Sequence, residues 1–148
     1  MSADWANSIL AVHNSERAAV GVPPLVWSDS LAASSQTWAE YLLTTHQWVH
    51  STNVPYGENL ASFSWFWGPT SPNGGGTPYW VVEKSNYVPG TPIEHGTTGP
   101  NGGVYGHYTQ MVWSTTTEIG CGVANDGGES KLVCHYSPPG NEVGKPAY

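Results

Sequence analysis

Four side chains in the least regular parts of the chain are its best prospect for chemistry. They are His50 and Glu58 within HSTNVPYGENLA (residues 50–61), Glu83 in YWVVEKSNY and His107 in GHYTQMVW. Two neutral imidazoles can hold a divalent transition metal, and nearby carboxylates either complete the coordination or fix the rings by accepting their second N–H. With six histidines and eleven acidic residues in the chain, chance pairings are common, so spacing has to select among them. His46 and His50 are spaced i, i+4 in HQWVH, but Gln47 stands where a zinc-protease helix needs its catalytic Glu. His46 therefore reads as a solvated helix end. No GxSxG occurs, and Ser51 is simply the neighbour of His50. Glu58 and Glu83 could act as acid and base in glycoside hydrolysis, although sequence does not fix their separation in space. NGGG (73–76) and NGG (101–103) lack the lysine of a phosphate loop and read as turns.

The elements that must position these residues follow from pattern. Asp4 can cap a first helix carrying Trp5, Ile9 and Val12, ended by Gly21 and Pro23-Pro24. Ser28 or Asp29 can cap a second, with Leu31, Ser35, Trp38 and Leu42 stepping along one face. Thr77-Pro78 opens a third, on which Trp80, Glu83, Lys84 and Tyr87 follow helical spacing. Glu83 then shares a face with aromatics, as a partly buried carboxylate needing a partner or as an amphipathic edge in water. GHYTQMVW is ambiguous between helix and strand. EIGCGVA and KLVCHY read as paired strands turning at NDGGES. The midpoint of Cys121 and Cys134 falls inside that turn, which sets the two opposite each other at about 4.5–5.5 Å between α-carbons. The spacing favours a cross-strand disulfide over two buried thiols, and hence an oxidising compartment. WFWGPTSPNGGGTP (65–78) and VPGTPIEHGTTGPNGGVYG (88–106) exceed ordinary connection length, which marks them as functional or disordered. Helices first, strands last and no repeat point to one α+β domain over residues 1–148 with a central antiparallel sheet covered by helices.

Composition excludes several classes. The net charge of −7 repels phosphate backbones, so nucleic acid is not expected as a partner. Only 10% of residues are charged, which suits an extracellular, loop-rich protein. No apolar run reaches the length of a membrane span, and no basic segment precedes an apolar one at the N-terminus, so we expect a secreted protein whose leader has been removed.

Taken together, GENLA (57–61), GHYTQMVW (106–113), IGCG (119–122) and CHYSPPGN with the VGKPAY that follows (134–148) resemble the CAP superfamily. This is the group of cysteine-rich secretory, antigen five and pathogenesis-related proteins (the SCP domain). HNSERAAVGVPPLVW (13–27) extends the likeness to nearly the whole chain. The resemblance implies a three-layer α-β-α sandwich with an open cleft, in which His50, Glu58, Glu83 and His107 match the family's His/Glu tetrad. It further implies a divalent ion, zinc first, on His50 and His107, with direct ligation by Glu58 or Glu83 left open. Some relatives carry sterols or fatty acids, so a lipid or other small apolar ligand is expected, in a binding protein rather than an enzyme. A metal-dependent hydrolase using the tetrad, and a surface-recognition module for a protein partner in defence or virulence, are the alternatives. The loop before GHYTQ offers only Ile93, Val104 and Tyr105 to an apolar ligand. Trp65, Phe66 and Trp67 either form a platform beside the cleft or cap the core.

Overall fold

The computed structural model describes residues 3–63 and 77–148. The elements are α1 (Ala3–Ala19), β1 (Val26–Trp27), α2 (Asp29–Thr45), β2 (Gly57–Phe63), α3 (Thr77–Val82) running into a 3₁₀ turn (Glu83–Asn86), α4 (Gly106–Met111), β3 (Glu118–Asn125) and β4 (Ser130–Ser137). The sheet order is β1-β3-β4-β2. Strands β3 and β4 pair antiparallel as expected, and β2, in a segment read above as irregular, pairs antiparallel with β4. The two residues of β1 run parallel to β3, pairing Val26 with Glu118 and Trp27 with Ile119, so the sheet is mixed rather than wholly antiparallel. A two-residue strand has no periodicity to read, and its partner lies far along the chain.

Alternation along the strands sorts side chains onto two faces. One face packs Leu60, Val133 and Ala124 against Ala39, Leu42 and Leu43 of α2. The other packs Ala61, Phe63, Ile119, Leu132 and Tyr136 against Ile9 of α1, Trp80 of α3 and Tyr108 and Met111 of α4. Helices thus cover both faces, giving the three-layer α+β sandwich. The IGCG motif explains how closely α2 sits: a Cβ on Gly120 would lie 2.1 Å from the Ala32 nitrogen, and one on Gly122 2.4 Å from the Gln36 Cα. Between these glycines Cys121 points to the opposite face and is bonded to Cys134, its register partner, with α-carbons 4.1 Å apart. That is slightly closer than the opposed pair of a regular ladder.

Ser28 caps α2 by accepting from the Leu31 N–H, and Leu31, Ser35 and Leu42 are buried with Ala39. Trp38 is half-buried and stacks on Tyr41 at 4.6 Å. Helix α1 begins at Ala3, so Asp4 lies within its first turn instead of capping it. It ends as expected at Gly21, whose φ of +76° is open to glycine at no steric cost. The expected third helix tightens into the 3₁₀ turn at Glu83, yet Trp80 and Tyr87 are still buried while Lys84 reaches solvent and Glu16. GHYTQM is helical: six residues are too few for periodicity to decide between helix and strand. The 88–106 connection is fastened by backbone bonds from Ile93 N–H to Lys145 O, from Gly99 N–H to Gly103 O and from Tyr105 N–H to Thr97 O.

The expected apolar positions Trp5, Ile9 and Val12 pack on the core, and past Ile9 the buried stripe of α1 continues with polar residues. Ile9, His13 and Arg17, four residues apart, are all fully buried. The Arg17 guanidinium donates to the carbonyls of Pro23, Met111, Trp113 and Thr116 at 2.6–3.0 Å, joining α1 to the connection between α4 and β3. Burial lowers its pKa to about 10. Four carbonyl dipoles take the place of a counter-ion.

Candidate functional site

Strand β2 builds one half of the site and fixes the other. Glu58 points to the α2 side, directly across from His135 of β4, while Asn59 points to the opposite side. The Glu58 carboxylate accepts four hydrogen bonds. Oε1 takes His50 Nδ1 at 2.8 Å and the Ser51 N–H at 2.9 Å; Oε2 takes the Ser51 hydroxyl at 2.5 Å and His135 Nε2 at 2.8 Å. Those contacts fill the acceptor capacity of a carboxylate. Burial disfavours the anion, but the bonds from His135, His50 and Ser51 outweigh it and hold the carboxyl below the ordinary carboxylate range. His135 is itself fully buried, bonded through Nδ1 to the Ser34 hydroxyl of α2 at 2.7 Å and stacked on Tyr56 at 4.0 Å.

The second half is built at the start of α4. Glu83 accepts the backbone N–H groups of His107 and Tyr108 on Oε1 at 2.9 and 3.3 Å, and His107 Nδ1 on Oε2 at 2.6 Å. One carboxylate therefore satisfies two unpaired N–H groups of the first helical turn and orients the ring beside them. Trp80 lies parallel to that ring at 5.8 Å. The expected burial of Glu83 among aromatics is met, with His107 as its partner.

A directional chain of buried hydrogen bonds supports His107 from the core. The Ile9 carbonyl can only accept, so His13 carries its proton on Nδ1 and its bare Nε2 accepts from the Tyr136 hydroxyl at 2.7 Å. Asn59 Nδ2 in turn donates to the Tyr136 oxygen and to the His107 carbonyl, at 3.1 and 3.0 Å. Burial is the main reason the His13 pKa falls to about 4; its bond to Ile9 opposes the shift and the Arg17 charge adds to it. Burial pushes the Tyr136 hydroxyl up.

Both halves meet at one cleft of about 230 Å³ lined by His50, Glu58, Asn59, Thr97, Val104, Gly106, His107 and Asn141. Both imidazoles have Nδ1 bound to a glutamate, which leaves Nε2 of each without a protein partner among the described residues. Carboxylate, imidazole and open nitrogen in line is how proteins fix the tautomer of a metal-binding histidine. Glu83 stands behind His107 and does not line the cleft. Among the described residues, no group of three or more His, Cys, Asp or Glu is arranged to hold a metal ion.

The remaining expected site residues fall elsewhere. Tyr105 is buried, its hydroxyl accepting the Glu94 N–H and its ring edge-on to Tyr87 at 5.2 Å. Trp65, Phe66 and Trp67 lie outside the described residues. His46 is exposed at the end of α2 in the left-handed region, and residues 46–50 are not helical, so His46 and His50 share no helix face. The Ser51 hydroxyl bonds Glu58, not His50. Sequence reasoning missed His135, Ser34, Asn59 and the His13–Tyr136 pair. One available signal was His13 at the i+4 step between Ile9 and Arg17. The other was the single histidine in the apolar run KLVCHY.

Residues 10–136 match the family described as CAP, the cysteine-rich secretory protein family. The chain is 40% identical over 141 residues to pathogenesis-related protein 1C of Nicotiana tabacum, covering 94% of this chain and 78% of that one. Among solved structures it is similar to NaASP2 with Zn2+ (24% identity, TM-score 0.77, 100% of this chain and 86% of that one). It is also similar to venom allergen-like protein 4 of Schistosoma mansoni (28% identity, TM-score 0.68, 95% and 91%).

Proposed function

Since the chain belongs to the cysteine-rich secretory protein (CAP) family, within which it is similar to the pathogenesis-related 1 proteins, we propose that it is a secreted binding protein whose cleft takes a divalent cation on His50 and His107. The observation that carries this reading is the matched pair of Nδ1–glutamate bonds, 2.8 Å at His50 and 2.6 Å at His107, which commits both rings to the tautomer a cation requires. Zinc is the ion assigned, because borderline-soft imidazole nitrogen suits it. NaASP2, which shares the fold, was crystallised with Zn2+. A bound ion would supply a fixed positive charge and Lewis acidity to an anionic or carbonyl ligand. This chain's own residues orient and hold: Glu58 and Glu83 fix the rings, and Asn59 anchors the backbone behind His107.

Binding is favoured over hydrolysis. Glu58 has every acceptor position filled and Glu83 has three contacts, so neither is poised as a general base, and two imidazoles are one ligand short of a standard catalytic zinc site. An apolar ligand would have a separate place in the groove between α1 and α3 lined by Ala11, Val12, Ser15, Glu16 and Val81. Secretion agrees with the Cys121–Cys134 disulfide.

Calorimetric titration with zinc tests the cation site. One equivalent should bind, with binding lost in both His50→Ala and His107→Ala. Affinity unchanged in either variant removes that ring from the site. Mass spectrometry of organic extracts from the purified protein tests the apolar ligand.

A further inference from the structure

The two rings of the cleft are supported differently, and the difference identifies a residue outside the tetrad. Glu83 is held by groups next to its own histidine: the His107 ring, the His107 N–H and the Tyr108 N–H. Glu58 is held from two sides, by His50 and both the N–H and hydroxyl of Ser51 from the loop and by His135 from the sheet. His50 has a side chain 63% exposed and approaches from solvent, whereas His135 is at 0%, so the buried ring defines where the carboxylate sits. His135 is clamped on every side. Tyr56 covers its face, Ser34 of α2 holds Nδ1, and Gly120 opposes it on β3 with no side chain to displace it.

We infer that His135 is a positioning residue of the cleft: it anchors Glu58 through Nε2 and so sets the orientation and tautomer of His50. Two proton arrangements satisfy the contacts around it. In one, the Ser34 hydroxyl donates to Nδ1. In the other, a doubly protonated ring donates Nδ1–H to Ser34, whose hydroxyl donates to the Leu31 carbonyl at 3.0 Å. Both require Nε2–H to donate to Glu58, because an oxygen with an ionised carboxylate's charge accepts and does not donate. With one Oε2 bond fixed from the sheet, Oε1 is turned toward the loop, where it accepts His50 Nδ1–H and leaves Nε2 open to the cleft. The chain Ser34–His135–Glu58–His50 thus runs from α2 across the sheet edge to the proposed ligand atom. Three of its four members lie outside the loop that carries His50.

The inference rests on reading the cleft as an imidazole cation site, but its first readout needs no cation. Side-chain ¹⁵N NMR on the metal-free full-length chain reports which nitrogen of His50 carries the proton. In the native protein, Nδ1 should be protonated and Nε2 bare. His135→Phe keeps a ring in the same volume without a donor, and His50 should then populate both tautomers; His135→Gln, whose amide can still donate to Glu58, should restore the native pattern. Zinc affinity should fall about tenfold to a hundredfold in His135→Phe, the usual cost of losing an outer-shell partner, and recover in His135→Gln. If His135→Phe does not fold, Ser34→Ala carries the test by releasing Nδ1 from the α2 side. A folded His135→Phe or Ser34→Ala protein with the native His50 tautomer overturns the inference. Native protein that shows the expected tautomer but binds no zinc overturns the cation reading and leaves the positioning role standing.

Discussion

His13 offers a quantitative check on the buried network, because burial and the Arg17 charge oppose its protonation more strongly than its bond to Ile9 favours it. The ring is fully buried, Nδ1 donates to Ile9 O at 2.9 Å and Nε2 accepts from Tyr136 at 2.7 Å, so a second proton has no acceptor to meet. Its pKa of about 4 in the folded chain lies well below the ordinary imidazole value of about 6.5. Between those values the unfolded chain binds a proton that the folded chain refuses. The stabilisation is therefore fully present above pH 6.5 and is lost progressively as pH falls toward 4. A gap of roughly 2.5 units at 1.36 kcal/mol each gives about 3 kcal/mol, a large share of a small domain's total stability. The assay is urea unfolding at intervals from pH 7.5 to pH 4, on the native chain and on His13→Gln. Glutamine does not titrate, so the variant lacks this acid loss, and the stability of the native chain minus that of the variant should fall on acidification by about that amount. Other histidines contribute to both curves and cancel. A difference that stays constant across the window would refute the argument that His13 is held neutral by burial in this chain of bonds.

Further outcomes follow from the same geometry. Arg17→Met removes four bonds, three of them buried, and should cost on the order of 3–5 kcal/mol in equilibrium unfolding; a loss below about 1 kcal/mol contradicts the account of Arg17 as the tie between α1 and the α4–β3 connection. Gly122→Ala sets a methyl 2.4 Å from the Gln36 backbone and should cost about 1–3 kcal/mol through outward displacement of α2, visible as changed amide shifts along that helix. Glu58→Gln replaces two acceptor oxygens by one and places a donor against imidazole N–H groups. It should lower stability at pH 7 by about 2–4 kcal/mol. Because the carboxyl is held below its ordinary range, its contribution is present above about pH 4.3 and lost as pH falls further, so the variant should show a shallower acid loss there.

How much of this was legible in the sequence depended on how local the determinant was. Ser28 as a cap, the hairpin that sets Cys121 against Cys134 and the stripe of α2 all follow from residues within a few positions of one another, and they form as expected. The pairing of each tetrad histidine with its own glutamate was within reach because the residue types suit one chemistry. His135 was hidden because it sits in a strand buried on both faces, where every position of β4 up to Tyr136 is enclosed and alternation vanishes. Only the register with β2 shows that it meets Glu58, and register is set by tertiary pairing. Arg17 was hidden for a related reason: its partners are carbonyls, which every residue has, so no sequence pattern marks them.

The cleft straddles a seam. His50 reaches it through Glu58 and His135 from the side of the sheet that α2 covers, while His107 comes from α4 on the far side, backed by Asn59 and Tyr136. An ion gripped by both rings would rivet together the two helical layers that lie on opposite faces of the sheet. Occupancy would then read out as heat resistance, growing with the logarithm of ion concentration above the dissociation constant. If the proposed ion binds, the protein would be toughest when loaded and would loosen where chelation strips the ion away.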